Sequence, residues 1–149
     1  MLFRSLEFEN RRGLEREIER LRSRLNARII HGTNTLLQQL EKELAAYFSG
    51  TFAGFTIPLY LSGSAFQQAV WKLLQKIPLG ETATYKDLAL KLGDSNKVRA
   101  VGNANGANQI AILIPCHRVI ASDGSLGGYG GGKERKKYLL ELEKKIKKT

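Results

Sequence analysis

The run Ile114-Pro115-Cys116-His117-Arg118-Val119 has the clearest chemical content in the sequence. A thiol is a weak nucleophile until it ionises, and free cysteine does so near pH 8.5. An adjacent imidazole and a nearby guanidinium favour the thiolate. Pro115 fixes its own φ and removes one backbone donor, which would set the cysteine at a defined bend. The bland alternative is an inert buried cysteine, the commoner fate of a lone one. A polar His-Arg pair directly after it argues against a wholly apolar niche.

The rest of the composition narrows the chemistry. Cys116 is the one cysteine among 149 residues, so an internal disulfide and a multi-cysteine zinc site are excluded. With only His31 and His117 beside it, no metal is expected. No apolar run approaches the roughly 20 residues needed to span a bilayer. The N-terminal residues lack a signal peptide's apolar stretch. No membrane association is expected, and the expected location is intracellular: cytoplasm in a prokaryote, nucleus in a eukaryote. The net charge is +10, which points to a polyanionic partner. Residues 1–62 carry 9 basic and 7 acidic side chains, whereas residues 63–149 carry 15 and 7. The polyanion is therefore expected on the second part.

These residues need a scaffold. Residues 6–9 alternate as an edge strand would, and 10–13 read as a turn. Leu14, Ile18, Leu21 and Leu25 form one helical stripe, with Arg and Glu as a solvated face opposite. Residues 27–30 read as a short strand. A second helix follows, with Thr35 and Gln38 at capping-box spacing and Gly50 as its stop. Residues 55–61 look extended, and Pro58 confines them to an edge. The boundary falls at Ser62-Gly63-Ser64, giving an N-terminal α/β lobe with a short sheet (1–61) and a mainly helical C-terminal domain (62–149).

In that second part, Ser64 with Gln67 and Thr84 with Asp87 mark two helix starts. Asp94 or Ser95 caps a further helix near 97–105. Two short helices joined by a glycine-containing turn are a helix-turn-helix candidate, although many such pairs bind nothing. Residues 110–114 have the length and apolarity of a strand. A basic helix from about Lys133 closes the chain.

The sequence resembles the O6-alkylguanine-DNA alkyltransferase family. Pro115-Cys116-His117-Arg118-Val119 looks like its acceptor motif, and Arg99-Ala100-Val101-Gly102-Asn103-Ala104 resembles its recognition helix. Gly80-Glu81-Thr82 with Tyr85, Gly128-Tyr129-Gly130-Gly131-Gly132 and Leu139-Leu140-Glu141-Leu142-Glu143 fit the flanking patterns. The segments run in order over about residues 62–143. Gln109 stands where the family usually has proline, and the N-terminal part is short for the family.

The resemblance implies a DNA repair protein that transfers an alkyl group from guanine O6, and from thymine O4, to Cys116. The lesion lies inside the duplex stack, so the nucleotide must be swung out, here from the minor groove. Arg99 would fill the gap in the stack. The small residues Ala100, Gly102, Ala104 and Gly106 would let the helix approach the DNA closely, with Asn103 and Arg118 as further contacts. Tyr85 would crowd the flipped nucleotide and donate to the base. His117 would take the cysteine proton through a water, Glu143 would orient His117, and Asn108 would hold the turn at the cysteine. Val119, Tyr129, Gly130 and Gly131 would line the base pocket. No cofactor is implied; the thioether is stable, so each molecule, expected as a monomer, would react once. The alternatives are a DNA-binding protein acting through the helix-turn-helix without transfer, as lesion recogniser or transcription regulator, and a cysteine hydrolase.

Overall fold

The computed structural model describes residues 2–148. Its first half holds two helices, α1 (Leu14–Leu25) and α2 (Thr35–Ser49). After them come α3 (Ala65–Leu74), β1 (Ala83–Thr84), α4 (Tyr85–Lys91) and α5 (Val98–Gly106). The order ends with β2 (Val119–Ile120) and α6 (Lys133–Lys148), and single 3-10 turns at Ser95–Lys97 and Cys116–Arg118 precede α5 and β2.

The helix starts follow local capping chemistry. Ser64 accepts from the Gln67 backbone N–H while the Gln67 side chain accepts from Ser64 N–H. Thr84 and Asp87 make the same reciprocal pair at α4. Each closes two of the four donors a helix start leaves open. At α2 the cap is Asn34, whose side chain accepts from Leu37 N–H. Thr35, expected as the cap, is instead the first helical residue.

The chain is of mixed α and β type, as expected, but the sheet lies elsewhere than the hydrophobic pattern suggests. Among the described residues the one sheet pairs β1 with β2 in parallel, Ala83 opposite Val119. Residues 6–9, 27–30 and 55–61 form no strand; Phe3 and Leu59, and Leu6 and Ile110, make isolated bridges. Residues 110–114 are a buried turn rather than a strand, with Ile112 in the left-handed region at φ 70°. Their apolarity reflects burial on all sides, which periodicity cannot tell from a buried strand.

One core runs through the molecule. Val70, Trp71 and Leu74 of α3 pack with Leu88 of α4, Val101 of α5 and Leu139 of α6. Trp71 Nε1 donates to the Ala104 carbonyl at 2.8 Å, tying α3 to α5. Tyr47 brings α2 into the same core with Phe52 and Phe55. The α1 stripe contributes no fully buried residue, and Ile18 is 43% exposed. α4 and α5 pack on each other across Gly93, whose φ of 84° suits a residue without a side chain. This pair is the helix-turn-helix geometry the sequence suggested.

Candidate functional site

Cys116 opens the 3-10 turn after Pro115 and is 7% exposed. It lines a cavity of about 510 Å³ together with Tyr85, Gly102, Asn108, Tyr129 and Gly130. That volume is in the range of small-ligand pockets. The turn is held by Asn108, whose Nδ2 donates to the Ile114 carbonyl at 2.9 Å and to Cys116 Sγ at 3.1 Å. Asn108 Oδ1 accepts from Ile110 N–H at 3.0 Å. From α5, Asn105 Nδ2 reaches the Cys116 carbonyl at 3.3 Å.

Burial pushes the Cys116 thiol up to about 11, with the Asn108 hydrogen bond opposing the shift. The thiol is therefore protonated at neutral pH, and the expectation of a thiolate favoured by the guanidinium beside it is corrected. Arg118 is turned the other way. Its Nε and Nη2 donate to Glu143 at 2.8 and 2.9 Å, and Nη1 donates to the Ile77 carbonyl at 2.6 Å. Arg118 is buried, so its expected place at a DNA surface is also corrected. A guanidinium held inside the protein by a buried carboxylate and a backbone carbonyl is turned away from any phosphate at the surface.

Glu143, on α6, is the centre of this network. It is wholly buried and accepts from His117 Nε2 at 2.7 Å, Tyr47 Oη at 2.8 Å, Arg118, and Gly80 N–H at 3.3 Å. Burial alone would raise its pKa, but the hydrogen bonds from His117 and Arg118 and the Arg118 charge outweigh that and hold it near 2. An ionised carboxylate only accepts, so His117 Nε2 carries the proton and Nδ1 the lone pair. Nδ1 is buried and meets no protein partner. Burial also holds the imidazole below its ordinary pKa, which keeps it neutral and able to take a proton.

The other expected residues divide. Gly102, Tyr129, Gly130 and Gly131 lie on the cavity wall. At Gly102 an added Cβ would sit 3.9 Å from the Tyr85 ring. Arg99, Ala100 and Asn103 are exposed on α5. Val119 is not on the wall: its side chain is fully buried in the core, and its carbonyl accepts from Lys136 Nζ at 2.5 Å. Its expected place in the pocket is corrected accordingly.

Three contributions were missed from the sequence. Tyr47 belongs to the apolar stripe of α2, with its hydroxyl on Glu143. Lys136 is fully buried on α6 and caps the Val119, Leu126 and Gly128 carbonyls, fixing the glycine-rich segment. A lysine and a glutamate seven residues apart, on the face that carries Leu139, were a legible signal of buried polar contacts. The third is the N-terminal segment: Glu7, Phe8 and Arg11 form part of the cavity wall. Phe8 packs edge-on to Tyr129, and Arg11 pairs with Glu7 and Glu17. Burial pushes Glu7 up to about 7. Among the described residues no cluster of three metal-ligating side chains occurs, and no helix is long and apolar enough to cross a membrane.

Known proteins resemble this chain in sequence and in fold. Residues 65–145 fit the family model described as 6-O-methylguanine DNA methyltransferase, DNA binding domain. A methylated-DNA–protein-cysteine methyltransferase of Mycolicibacterium paratuberculosis is 53% identical over 104 residues, 70% of this chain and 63% of the relative. The Methanosarcina barkeri protein of that name is 51% identical over 106 residues, covering 71% of this chain and 67% of its own. The chain thus spans a little under two thirds of the mycobacterial relative's length. Among solved structures, Mycobacterium tuberculosis OGT in complex with DNA superposes with a TM-score of 0.71 at 51% identity, over 73% of this chain and 68% of that one. The O6-methylguanine-DNA methyltransferase of Pyrococcus kodakaraensis superposes at 0.63 and 31% identity, over 87% and 78%.

Proposed function

The chain belongs to the 6-O-methylguanine DNA methyltransferase family, and from that premise we propose that it repairs DNA by moving an alkyl group from guanine O6 irreversibly onto Cys116. The observation that carries this reading is the position of Cys116 on the wall of a cavity of about 510 Å³, next in the chain to a neutral His117 whose Nδ1 meets no protein partner.

The chemistry follows from the protonation states. The thiol must lose its proton as it attacks, because burial keeps it protonated. His117 Nδ1 is the acceptor, through one bridging water, and the resulting imidazolium is stabilised by Glu143 at 2.7 Å. The sulfur then forms a bond to the alkyl carbon as the carbon–O6 bond breaks, and the electron pair stays on the guanine. Tyr85, held protonated by burial, supplies a hydrogen bond or proton to the departing base. Asn108 keeps Sγ aimed into the cavity. The product thioether has no group beside it to remove it, so one molecule repairs one lesion.

The nucleotide reaches the cavity by leaving the duplex stack. Arg99, exposed on α5, takes the vacated place, while the small residues Ala100, Gly102 and Gly106 let α5 lie close to the minor groove and Asn103 contacts it. The same site accepts O4-alkylthymine, whose reacting carbon is bonded to an equivalent exocyclic oxygen.

The test is incubation with a duplex carrying one O6-methylguanine, followed by intact-protein and peptide mass spectrometry. One methyl group on Cys116, none in Cys116→Ser, and no second turnover are expected. Repeated turnover, or an unmodified Cys116 in folded protein, would reject the proposal.

A further inference from the structure

We propose that Arg12, Arg16, Arg20 and Arg24 of the α1 region form a second DNA-contact surface, which grips the phosphates of the strand leading away from the flipped nucleotide. This rests on the DNA reading above but concerns an element outside residues 65–145, to which the family model is confined.

The geometry begins with spacing. Four residues along a helix advance about 6 Å, on the scale of neighbouring phosphates on one strand. Arg12, Arg16, Arg20 and Arg24 repeat at that interval and are all exposed. They line one groove of about 330 Å³ whose far wall includes Gly106 and Ala107, at the end of the recognition helix α5. Arg11 and Gly106 line both this groove and the cavity of Cys116, so the two are continuous. A strand with one nucleotide in the cavity has a cationic path for its next phosphates.

Charge pairing leaves this row free. The first 62 residues are nearly balanced in sign, yet the balance is not uniform in space. Glu7 and Glu17 pair with Arg11, and Glu19 pairs with Arg22. Among the described residues, no carboxylate forms an ion pair with Arg12, Arg16, Arg20 or Arg24. Glu17, the acidic side chain on the groove wall, is paired with Arg11 rather than with the row. Arg24 Nη1 donates to the Ser62 hydroxyl at 2.7 Å, which fixes the end of α1 against the start of α3. The helix is thus held by its edge while its arginines face outward. Its apolar stripe contributes no fully buried residue to the core, so this helix adds little to the fold's stability and is free to serve a surface role.

The test uses the full chain with Arg16→Ala and Arg20→Ala combined, leaving the tethered Arg24 in place. Binding to a 20-base-pair duplex is measured from low to moderate salt. Each lost phosphate contact should flatten the plot of log affinity against log salt by about 1, so a loss of about 2 is expected, with roughly tenfold weaker binding near 0.1 M salt. Arg16→Lys with Arg20→Lys should keep most of the slope, and Arg16→Glu with Arg20→Glu should lose more. Alkyl transfer from free O6-benzylguanine should be unchanged in all three, which reports an intact cavity. An unchanged salt slope in the alanine and glutamate variants, with circular dichroism as in the parent, would overturn the arginine row. A parent protein that takes no alkyl group from free O6-benzylguanine or from a duplex carrying O6-methylguanine would instead overturn the repair reading, whatever the salt slope does.

Discussion

Glu143 Oε1 lies 2.7 Å from His117 Nε2, and both side chains are withdrawn from solvent. Because Glu143 also receives Tyr47, Arg118 and Gly80, its orientation is over-determined, and the imidazole it holds has one possible donor direction. The histidine's free nitrogen is set by tertiary contacts from α2 and α6 rather than by its neighbours in the chain.

Glu143→Gln should therefore damage both stability and rate. Removing one partner of a buried ion pair leaves Arg118 uncompensated, at a cost of about 3–5 kcal/mol. Alkyl transfer should fall about 100-fold, since the imidazolium loses its carboxylate. Denaturant melts and single-turnover rates measure the two separately. A rate within twofold of the parent would show that His117 needs no such support.

Tyr47→Phe isolates the positioning part. It removes one hydrogen bond to Glu143 without changing charge or packing, which should cost about 1–2 kcal/mol of stability. The rate should fall several-fold, and its pH dependence should shift because Glu143 becomes a stronger base for His117. A stability loss with the pH–rate profile unmoved would mean that Tyr47 is structural alone.

Thiol chemistry gives a second pH test. With Cys116 pushed up to about 11, reaction with iodoacetamide should keep rising past pH 9, well beyond an ordinary thiol. The negative charge of Glu7 contributes to that rise. Glu7→Gln should lower the thiol pKa and speed labelling about two- to fivefold at pH 8, where Glu7 in the parent is mostly ionised. Slower labelling in that variant would contradict the electrostatic role.

Acid stability follows from the depressed pKa of Glu143. Its folded value near 2 lies below an unfolded value near 4.5. The folded state binds the proton less well, so the ionised group contributes stability that is fully present above about pH 4.5. That contribution, about 3 kcal/mol, disappears as pH falls toward 2. Urea midpoints between pH 6 and pH 2.5 should drop steeply in the parent and less in Glu143→Gln. Parallel curves would place the acid sensitivity at another group.

Arg99→Ala tests the intercalating side chain. It should slow repair of a lesion in duplex DNA about tenfold while sparing the same lesion in a single strand, where no stack has to be refilled. Equal losses on the two substrates would make Arg99 a phosphate contact only.

The sequence by itself determined the features that depend on a few neighbouring residues. Ser64 with Gln67 and Thr84 with Asp87 cap their helices because donor and acceptor lie three positions apart. Gly50 and Gly93 end helices because φ near 84° there strains any other residue. The run from Pro115 to Val119 announced a cysteine with an imidazole beside it. Tertiary structure decided where the polar side chains point. Arg118 could have met DNA or a carboxylate, and only the docking of α6 settles it on Glu143. Residues 110–114 are apolar enough for a strand but are wrapped on every side, and burial from all directions leaves no period to read. Glu7, Phe8 and Arg11 reach the cysteine's cavity from more than a hundred positions away. No pattern within a short window encodes such a meeting, because its free energy comes from surfaces that exist only once the chain has folded.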